Sequence, residues 1–427
     1  MRKYNVYVEL GGNQVKVGKI EGNSSADGRF SYSKEYLDQG VARPISVSLP
    51  LTDEPFSPER TRVFFDGLLP EGFMRRSIAE GMHFDESDYL SILHNLGKEC
   101  LGAIRIGEDG DEEDVQQAGY EAISFEQVRE LAVCGTTKST EMVIKTHLSL
   151  TGASGKVGLY YDEKEKRWYM PCGLAPSTHI VKQSHIRLGG IVTNEQLSML
   201  AARKCGIDVP ESFIINVGGG IDSEVLFATK RYDRIIDETS QNIGSLRRPF
   251  RIHQVDFAQA MGVSSSEKYE KNGQDYAVKM FDIIRKYAAN PLEDALKLFA
   301  RMVFNYVLGN TDAHIKNFSL LYDTHMNGIF LAPAYDMVST VIYESATREM
   351  SFGIGGVKDL DTINEDSFKM LAAEAGIGEK LAMSTYQNVL DSFEKAVREA
   401  AKELKESKLM GAGDIAEKIL MARKKVL

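Results

Sequence analysis

Tryptophan is nearly absent and cysteine is scarce: one and four residues in a chain of 427. Cys100, Cys134, Cys172 and Cys205 lie far apart, with no C-x-x-C pair. That spacing excludes a disulfide framework and a structural zinc site, and leaves reduced, buried thiols as the expectation. Positive charge is not in excess either, since 51 Lys and Arg against 61 Asp and Glu give a net −10. A free-standing nucleic-acid binder carries a basic footprint, so that class is excluded. No apolar run approaches the ~18 residues of a bilayer span. The greasiest stretch, Leu298 to Leu308, is interrupted by Arg301 and Asn305. Met1 to Glu9 lacks the apolar core of a secretory signal, so a cytoplasmic protein is expected. No internal repeat is visible. With 43% hydrophobic and 26% charged residues, the composition is that of a globular chain. At ~150 residues per domain, its length corresponds to two or three domains.

The first third opens with strand-like alternation, Val6, Val8, Leu10 and then Val15, Val17, around Gly11-Gly12-Asn13, which predicts a hairpin. Phe30 to Tyr32 and Ile45 to Leu49 read as further strands, and Pro58 to Leu69 and Tyr89 to Leu96 as helices. The acidic run Glu108 to Asp114 reads as a solvated loop and a seam, because it lacks the ligand positions of a calcium loop. Beyond Glu141, strands are predicted at Met142 to Ser149, Val157 to Tyr161, Trp168 to Met170 and His179 to Lys182. A helix follows, with Thr193-x-x-Gln196 as a capping box and Gly206 as its stop. Phe213 to Val217 and Glu224 to Thr229 flank Gly218-Gly219-Gly220 as a hairpin. After Tyr232 the chain reads as mostly helical, apart from short strands around 318–332.

Two features point to phosphate chemistry. The first is the small-residue turn Thr151-Gly152-Ala153-Ser154-Gly155-Lys156, where backbone N–H groups can approach anionic oxygens. It is not a Walker A loop, because Leu150 and Val157 stand where that motif needs Gly and Ser or Thr, and a strand follows instead of a helix. A strand–glycine turn–strand cover remains, beside the plainer reading of an ordinary hairpin. The second is Leu308-Gly309-Asn310-Thr311-Asp312-Ala313-His314-Ile315-Lys316-Asn317-Phe318, a polar loop after a helix apolar at Leu292, Leu296, Phe299, Val303 and Val307. Asp312 and Asn317 stand five apart, the spacing at which a kinase loop sets a base and a metal-holding amide toward one phosphate. Lys316 can offset charge on the transferring group. Asp336, in Ala332-Pro333-Ala334-Tyr335-Asp336, comes where a second metal carboxylate belongs. With Asn317 it offers hard oxygens suited to Mg²⁺. Lys182 lies in a strand after the glycine turn, the place of a phosphate-contacting lysine. The simpler alternative is a helix-ending turn whose Asp and Asn bond the backbone.

In these segments the chain resembles the HipA family of serine/threonine kinase toxins from bacterial toxin–antitoxin systems. The resemblance spans nearly the whole sequence. It rests on Ala42 to Leu51, Phe64 to Pro70, Leu148 to Ala153, Thr178 to Lys182, Asn194-Glu195, Arg231 to Arg234, Thr311 to Ser319 and Ala332 to Asp336. It implies an α+β, two-lobed protein-kinase-like fold: an N-terminal α/β subdomain over 1–135, a strand-rich ATP-binding lobe over 136–230 and a helical catalytic lobe over 231–427. It further implies ATP and Mg²⁺ as cofactors, Asp312 as base, and Asn317 and Asp336 as metal holders. Lys182 would contact ATP phosphates, with Gly152, Ala153, Ser154, Gly155, Lys156 and Lys316 around the nucleotide. Asp233 would reach the ribose, Ser149 would be autophosphorylated, and Glu195 would pair with Lys182 from the very start of its helix; His314 is a further candidate. Two departures stand out: Ser154-Gly155 where the family usually has Gln-x before the lysine, and Lys230 where Glu is frequent. The implied partners are a small helix-turn-helix antitoxin, DNA only through that antitoxin, and a protein substrate, aminoacyl-tRNA synthetases being among the family's targets. No membrane is implied. A small-molecule kinase of the same fold and a non-catalytic nucleotide-binding corepressor remain as alternatives.

Overall fold

The opening hairpin forms where the glycine pair predicts it. In the computed structural model, which describes residues 1–108, 118–146, 155–184 and 188–426, β1 (Arg2–Leu10) and β2 (Asn13–Gly22) pair antiparallel, with Val8 opposite Val15. Gly11 and Gly12 take φ of +52° and +84°. Two successive left-handed residues make the turn whose twist suits a two-residue hairpin. With β3 (Arg29–Tyr32) and β4 (Ile104–Gly107) the sheet runs β3-β2-β1-β4. Helix Pro58–Asp66 starts on Ser57, whose side chain accepts from Arg60 N, and buries Thr61, Phe64 and Phe65. Helix Tyr89–Leu96 has the predicted bounds. The expected strand Ile45–Leu49 does not form, leaving an isolated Ser46–Leu49 bridge. Tyr32 takes over the ladder's work: its hydroxyl accepts from Ile45 N at 3.0 Å and donates to Leu49 O at 2.6 Å.

Four later strands, β5 (Gly119–Ala122), β6 (Lys156–Asp162), β7 (Arg167–Cys172) and β8 (His179–Gln183), run in the order β5-β7-β6-β8. The strand expected from Met142 is a helix, Thr136–Thr146, as far as residue 146. Its Ser139, Met142 and Val143 are buried at three- and four-residue spacing, a helical face that a run of apolar residues alone does not reveal. The remainder of that expected strand and most of the acidic run, residues 109–114, lie outside the described residues. Several two- and three-residue strands, from Arg234–Ile235 to Gln254–Asp256, occupy a stretch expected to be mostly helical.

The chain divides into two units. The first comprises Met1–Gln183, Ala228–Ser265 and Leu321–Gly328; the second comprises Ser184–Phe227, Ser266–Leu320 and Ile329–Leu427. The second unit is built on long helices, among them Ile191–Lys204, Pro291–Leu308 and Glu379–Glu406. The first of these begins at Ile191 on left-handed Gly190, so Thr193 and Gln196 lie inside the helix and form no capping box. Its C-cap is Cys205, and Gly206 follows at φ +80°, as the stop signal predicts. Around Gly218-Gly219-Gly220, Val217 N donates to Glu224 O at 2.9 Å, which closes the expected hairpin.

The four cysteines form no disulfide, but only Cys100 is fully buried, and Cys134 is exposed, against the expectation of buried thiols throughout. Burial pushes the Cys100 thiol up to about 12, which keeps it protonated. Among the described residues no helix is long and apolar enough to cross a membrane.

Candidate active site

In the second unit, helix Pro291–Leu308 delivers the Asp312–Asn317 loop. Pro291 opens the helix, and Leu298, Phe299, Met302, Val303 and Val307 bury its core face. Leu292, expected on that face, is exposed; Asp294 is buried instead and accepts from Leu331 N at 3.0 Å. The helix ends on Gly309 at φ +69°, where a side chain would run into Val341. Thr340 then takes the free helix end, its N donating to Gly309 O and its Oγ1 accepting from Thr311 N at 2.9 Å.

The loop reverses as the five-residue spacing requires. His314 N and Asn317 Nδ2 both donate to Asp312 O, at 2.7 and 3.0 Å, and Ile315–Asn317 is a single 3₁₀ turn. His314, Lys316 and Asn317 are buried, while Asp312 is exposed. The base candidate thus faces solvent on a frame fixed by backbone bonds that do not involve its carboxylate.

Asp336 belongs to the same constellation. Tyr335 Oη donates to Lys316 O at 2.8 Å and lies 2.6 Å from Ser319 Oγ, and Ala332 N donates to Ser319 O at 2.9 Å. The residue before Asp336 is therefore pinned to the residue before Asn317. Asn310 Nδ2 also reaches Asp336 O at 3.4 Å. Asp336 itself sits at φ +58°, a left-handed conformation rare for a residue with a side chain and tolerated best by Asn and Asp. With its Nδ2 donating to Asp312 O, Asn317 has its amide oxygen as the atom that could ligate a metal ion. One amide oxygen and one carboxylate suit Mg²⁺, which retains waters and takes phosphate oxygens. Among the described residues there is no cluster of three or more His, Cys, Asp or Glu for a more demanding ion.

In the first unit, Lys182 lies on β8 directly opposite Lys156 on β6. Along β8 the odd positions His179, Val181 and Gln183 are buried and Lys182 is half-buried. An added side chain at Gly155 would run into Gln183, so glycine there allows a close approach. Ser149, Gly152, Ala153 and Ser154 lie outside the described residues. Lys230, the hinge departure, pairs with Glu163 at 3.1 Å.

Asp233 is not open to a ribose. It is buried, with Oδ1 accepting from Arg231 Nε at 2.9 Å and Oδ2 from Arg231 Nη2 and Gly102 N at 2.8 and 2.7 Å. Arg231 and Arg234 also donate to Glu99 Oε1, at 3.2 and 3.1 Å. Burial works to raise the Asp233 pKa, but Arg231 and Arg234 overcome it and hold the carboxyl at about 2. The Arg231–Arg234 motif is thus an internal anchor onto residues 99–102. Glu195 is buried a full turn into helix Ile191–Lys204, and not at its very start. Its neighbour Asn194 exchanges two hydrogen bonds with the Ser339 backbone, at 2.9 and 3.1 Å.

Two features gave no expectation from sequence. Tyr269, in a polar stretch, donates to Asp312 Oδ1 at 2.7 Å, and nothing in its neighbours' identities announces that contact. Strands Glu349–Ile354 and Val357–Asp359 form a hairpin over Gly355-Gly356, both at positive φ. Here a signal existed, since Ile-Gly-Gly-Val is the same cue as the first hairpin.

A family model described as the HipA-like C-terminal domain matches residues 148–399, and one described as the HipA N-terminal domain matches residues 8–107. The Sinorhizobium fredii protein named "Putative kinase Y4mE" is 33% identical over 390 residues, 89% of this chain and 88% of that protein. The serine/threonine-protein kinase toxin HipA of Shewanella oneidensis is 26% identical over 405 residues, 92% and 88% of the two chains. A solved structure from the same organism, of HipA with HipB and operator DNA, superposes with a TM-score of 0.76 at 23% identity, covering 98% of this chain and 96% of that one. That likeness establishes the α+β, kinase-like fold.

Proposed function

This chain belongs to the HipA family, and on that premise we propose that it is an ATP- and Mg²⁺-dependent serine/threonine protein kinase acting as the toxin of a toxin–antitoxin pair. The observation that carries the reading is the loop in which Asn317 Nδ2 bonds Asp312 O while Tyr335 ties the Asp336 segment to Lys316. Base candidate and metal-holding candidates thereby share one short, internally bonded frame.

Asp312 would accept the proton of a serine hydroxyl as that oxygen bonds the γ-phosphorus and the bond to the ADP oxygen breaks. Its exposure lets an acceptor segment reach it, and its fixed backbone keeps the carboxylate in place. Asn317 and Asp336 would hold Mg²⁺, which when bound neutralises phosphate charge. Lys316, buried beside them, and Lys156 with Lys182 on the sheet would add positive charge toward the triphosphate. The glycine turn around residue 152 would cover the nucleotide, and Ser149 just before it would be the site of autophosphorylation. A phosphate there carries about −1.5 to −2 charges and would compete with ATP for the same donors.

By likeness to the HipA–HipB–DNA complex, the expected partner is a helix-turn-helix antitoxin, with DNA met only through it. The net charge of −10 fits such an indirect contact. The substrate is a host protein, with an aminoacyl-tRNA synthetase as the first candidate, and its phosphorylation arrests growth in the cytoplasm. Brief induction followed by phosphoproteomics, with Asp312→Asn as control, tests this reading. A serine phosphorylated only by the parent protein is expected, together with phosphate on Ser149 by peptide mapping. An identical phosphoproteome from both proteins would remove the kinase assignment.

A further inference from the structure

Tyr269 stands where a substrate should. Its hydroxyl donates to Asp312 Oδ1 at 2.7 Å, within the ~2.6–3.2 Å that a proton-giving hydroxyl needs to a general base. The ring meets His314 edge-on, with centroids 5.4 Å apart, yet Tyr269 remains 47% exposed.

The segment carrying it is held firmly. Glu270 N donates to Ser351 O at 2.8 Å. The Glu270 carboxylate accepts from Gly353 N and Tyr276 N at 3.0 and 2.7 Å, and Lys358 Nζ donates to Glu270 O at 2.9 Å. Ser351 Oγ in turn donates to Thr311 O at 2.7 Å. One strand, Glu349–Ile354, therefore grips the neighbour of Tyr269 and the neighbour of Asp312 together. Tyr269 and Asp312 also share the wall of a groove of about 390 Å³, with Thr311, Thr340, Tyr343 and Thr347 around it. That lining is rich in hydroxyls and wide enough for a short stretch of extended chain.

The geometry points to Tyr269 as the residue that selects the acceptor: its hydroxyl holds the acceptor's position on Asp312 Oδ1 and has to be displaced before phosphate can move. The inference rests on the kinase reading and deepens it. A water molecule brings no further binding energy with which to compete for that oxygen. A serine on a protein segment filling the groove does, so the contact favours transfer to protein over hydrolysis of ATP.

The variant that isolates the hydroxyl is Tyr269→Phe, which keeps the ring against His314. Steady-state rates would be measured on the full chain with Mg-ATP, using water (ADP release) and dephosphorylated casein as acceptors. Tyr269→Phe is expected to raise ADP release and lower the KM for casein, each about three- to tenfold, roughly the net worth of one ordinary intramolecular hydrogen bond. The KM for ATP stays unchanged, and adding Asp312→Asn erases the gain. Rates equal to the parent's, or a lower kcat at unchanged casein KM, would overturn the selecting role while leaving the kinase standing. Absence of transfer to either acceptor in both proteins would instead bring down the kinase reading and this inference with it.

Discussion

Lys156 and Lys182 face each other as direct cross-strand partners on β6 and β8. Like charges placed so close destabilise a sheet by a few tenths of a kcal/mol, up to about 1. The proposed nucleotide role would give that doubled positive charge at the sheet end a use. Lys182→Met is accordingly expected to leave stability unchanged or raise it by about 0.5 kcal/mol, while nucleotide affinity falls. Urea unfolding beside a fluorescent-nucleotide titration reads both quantities. Lost stability with retained affinity would make the lysine structural.

Asp312→Asn is expected to lower phosphoryl transfer by ~10²–10⁴-fold. The fold should survive, because the loop is held through the Asp312 carbonyl, by His314 N and Asn317 Nδ2. Unfolding curves and ATP binding should match the parent. Near-parental transfer would eliminate Asp312 as the base.

For Asp336 the cleaner substitution is Asn, since Asn also tolerates a φ of +58° and introduces no new backbone strain. It removes the negative charge from the proposed metal-holding pair. The gap in ATP affinity with and without Mg²⁺ should shrink, as measured by calorimetric titration. An undiminished gap would show that Asp336 is not a metal ligand.

Asp233→Ala should behave differently from any nucleotide contact. It leaves Arg231 and Arg234 buried beside the single carboxylate of Glu99. Breaking such a buried set by removing one partner costs about 3–5 kcal/mol. The expected result is a lower unfolding midpoint, with ATP affinity retained in the folded fraction. Weaker ATP binding at parental stability would restore the ribose role.

Stability should also fall on mild acidification, and two histidines account for the pH range. Burial pushes His179 and His253 each down to about 4, with Lys230 adding to the effect at His179. In the unfolded chain both would protonate near ~6.5. Between those values the unfolded state binds more protons, so folding weakens as pH drops from about 6.5 to about 4, by up to ~1.4 kcal/mol per pH unit for each ring. Asp233, held at about 2, adds its own loss only below that range. His253→Asn keeps a donor for Ile45 O, which Nε2 now reaches at 2.7 Å. Urea midpoints between pH 4.5 and 7.5 should slope less steeply in that variant, and an unchanged slope would exclude His253 as a contributor.

What the sequence revealed divides along physical lines. Short-range cues carried well: the Gly11-Gly12 turn, helix Tyr89–Leu96, strands β6 to β8 and the Asp312–Asn317 spacing each depend on residues within a few positions. Cues that competed with tertiary contacts failed. Thr193 and Gln196 have a capping-box spacing, but the helix starts earlier, on Gly190. Ile45–Leu49 alternates like a strand, yet the Tyr32 hydroxyl takes its backbone groups. Asp233 looked like a ligand although its ion-pair partners, Arg231 and Arg234, stand in the same motif; what leaves no local trace is the burial of that motif against Glu99 and Gly102, more than a hundred positions away. Tyr269 was invisible for the same reason, since its partner lies 43 residues away.

The anchor between Glu99 and Arg231 also governs the order in which the chain can be made and folded. These partners are separated by 132 positions. At a synthesis rate of about 5–20 residues per second, Glu99 leaves the ribosome many seconds before the guanidinium that neutralises it. The tip of the opening hairpin waits longer still, because Gly11 N donates to Thr324 O at 2.9 Å. The first unit is therefore completed late, when residues 321–328 join segments made much earlier. Nascent chains stalled before residue 320 should remain open to protease within residues 1–108, and released chains should not. On the proposed toxin reading, an incomplete first unit would delay activity until residues 321–328 have been made.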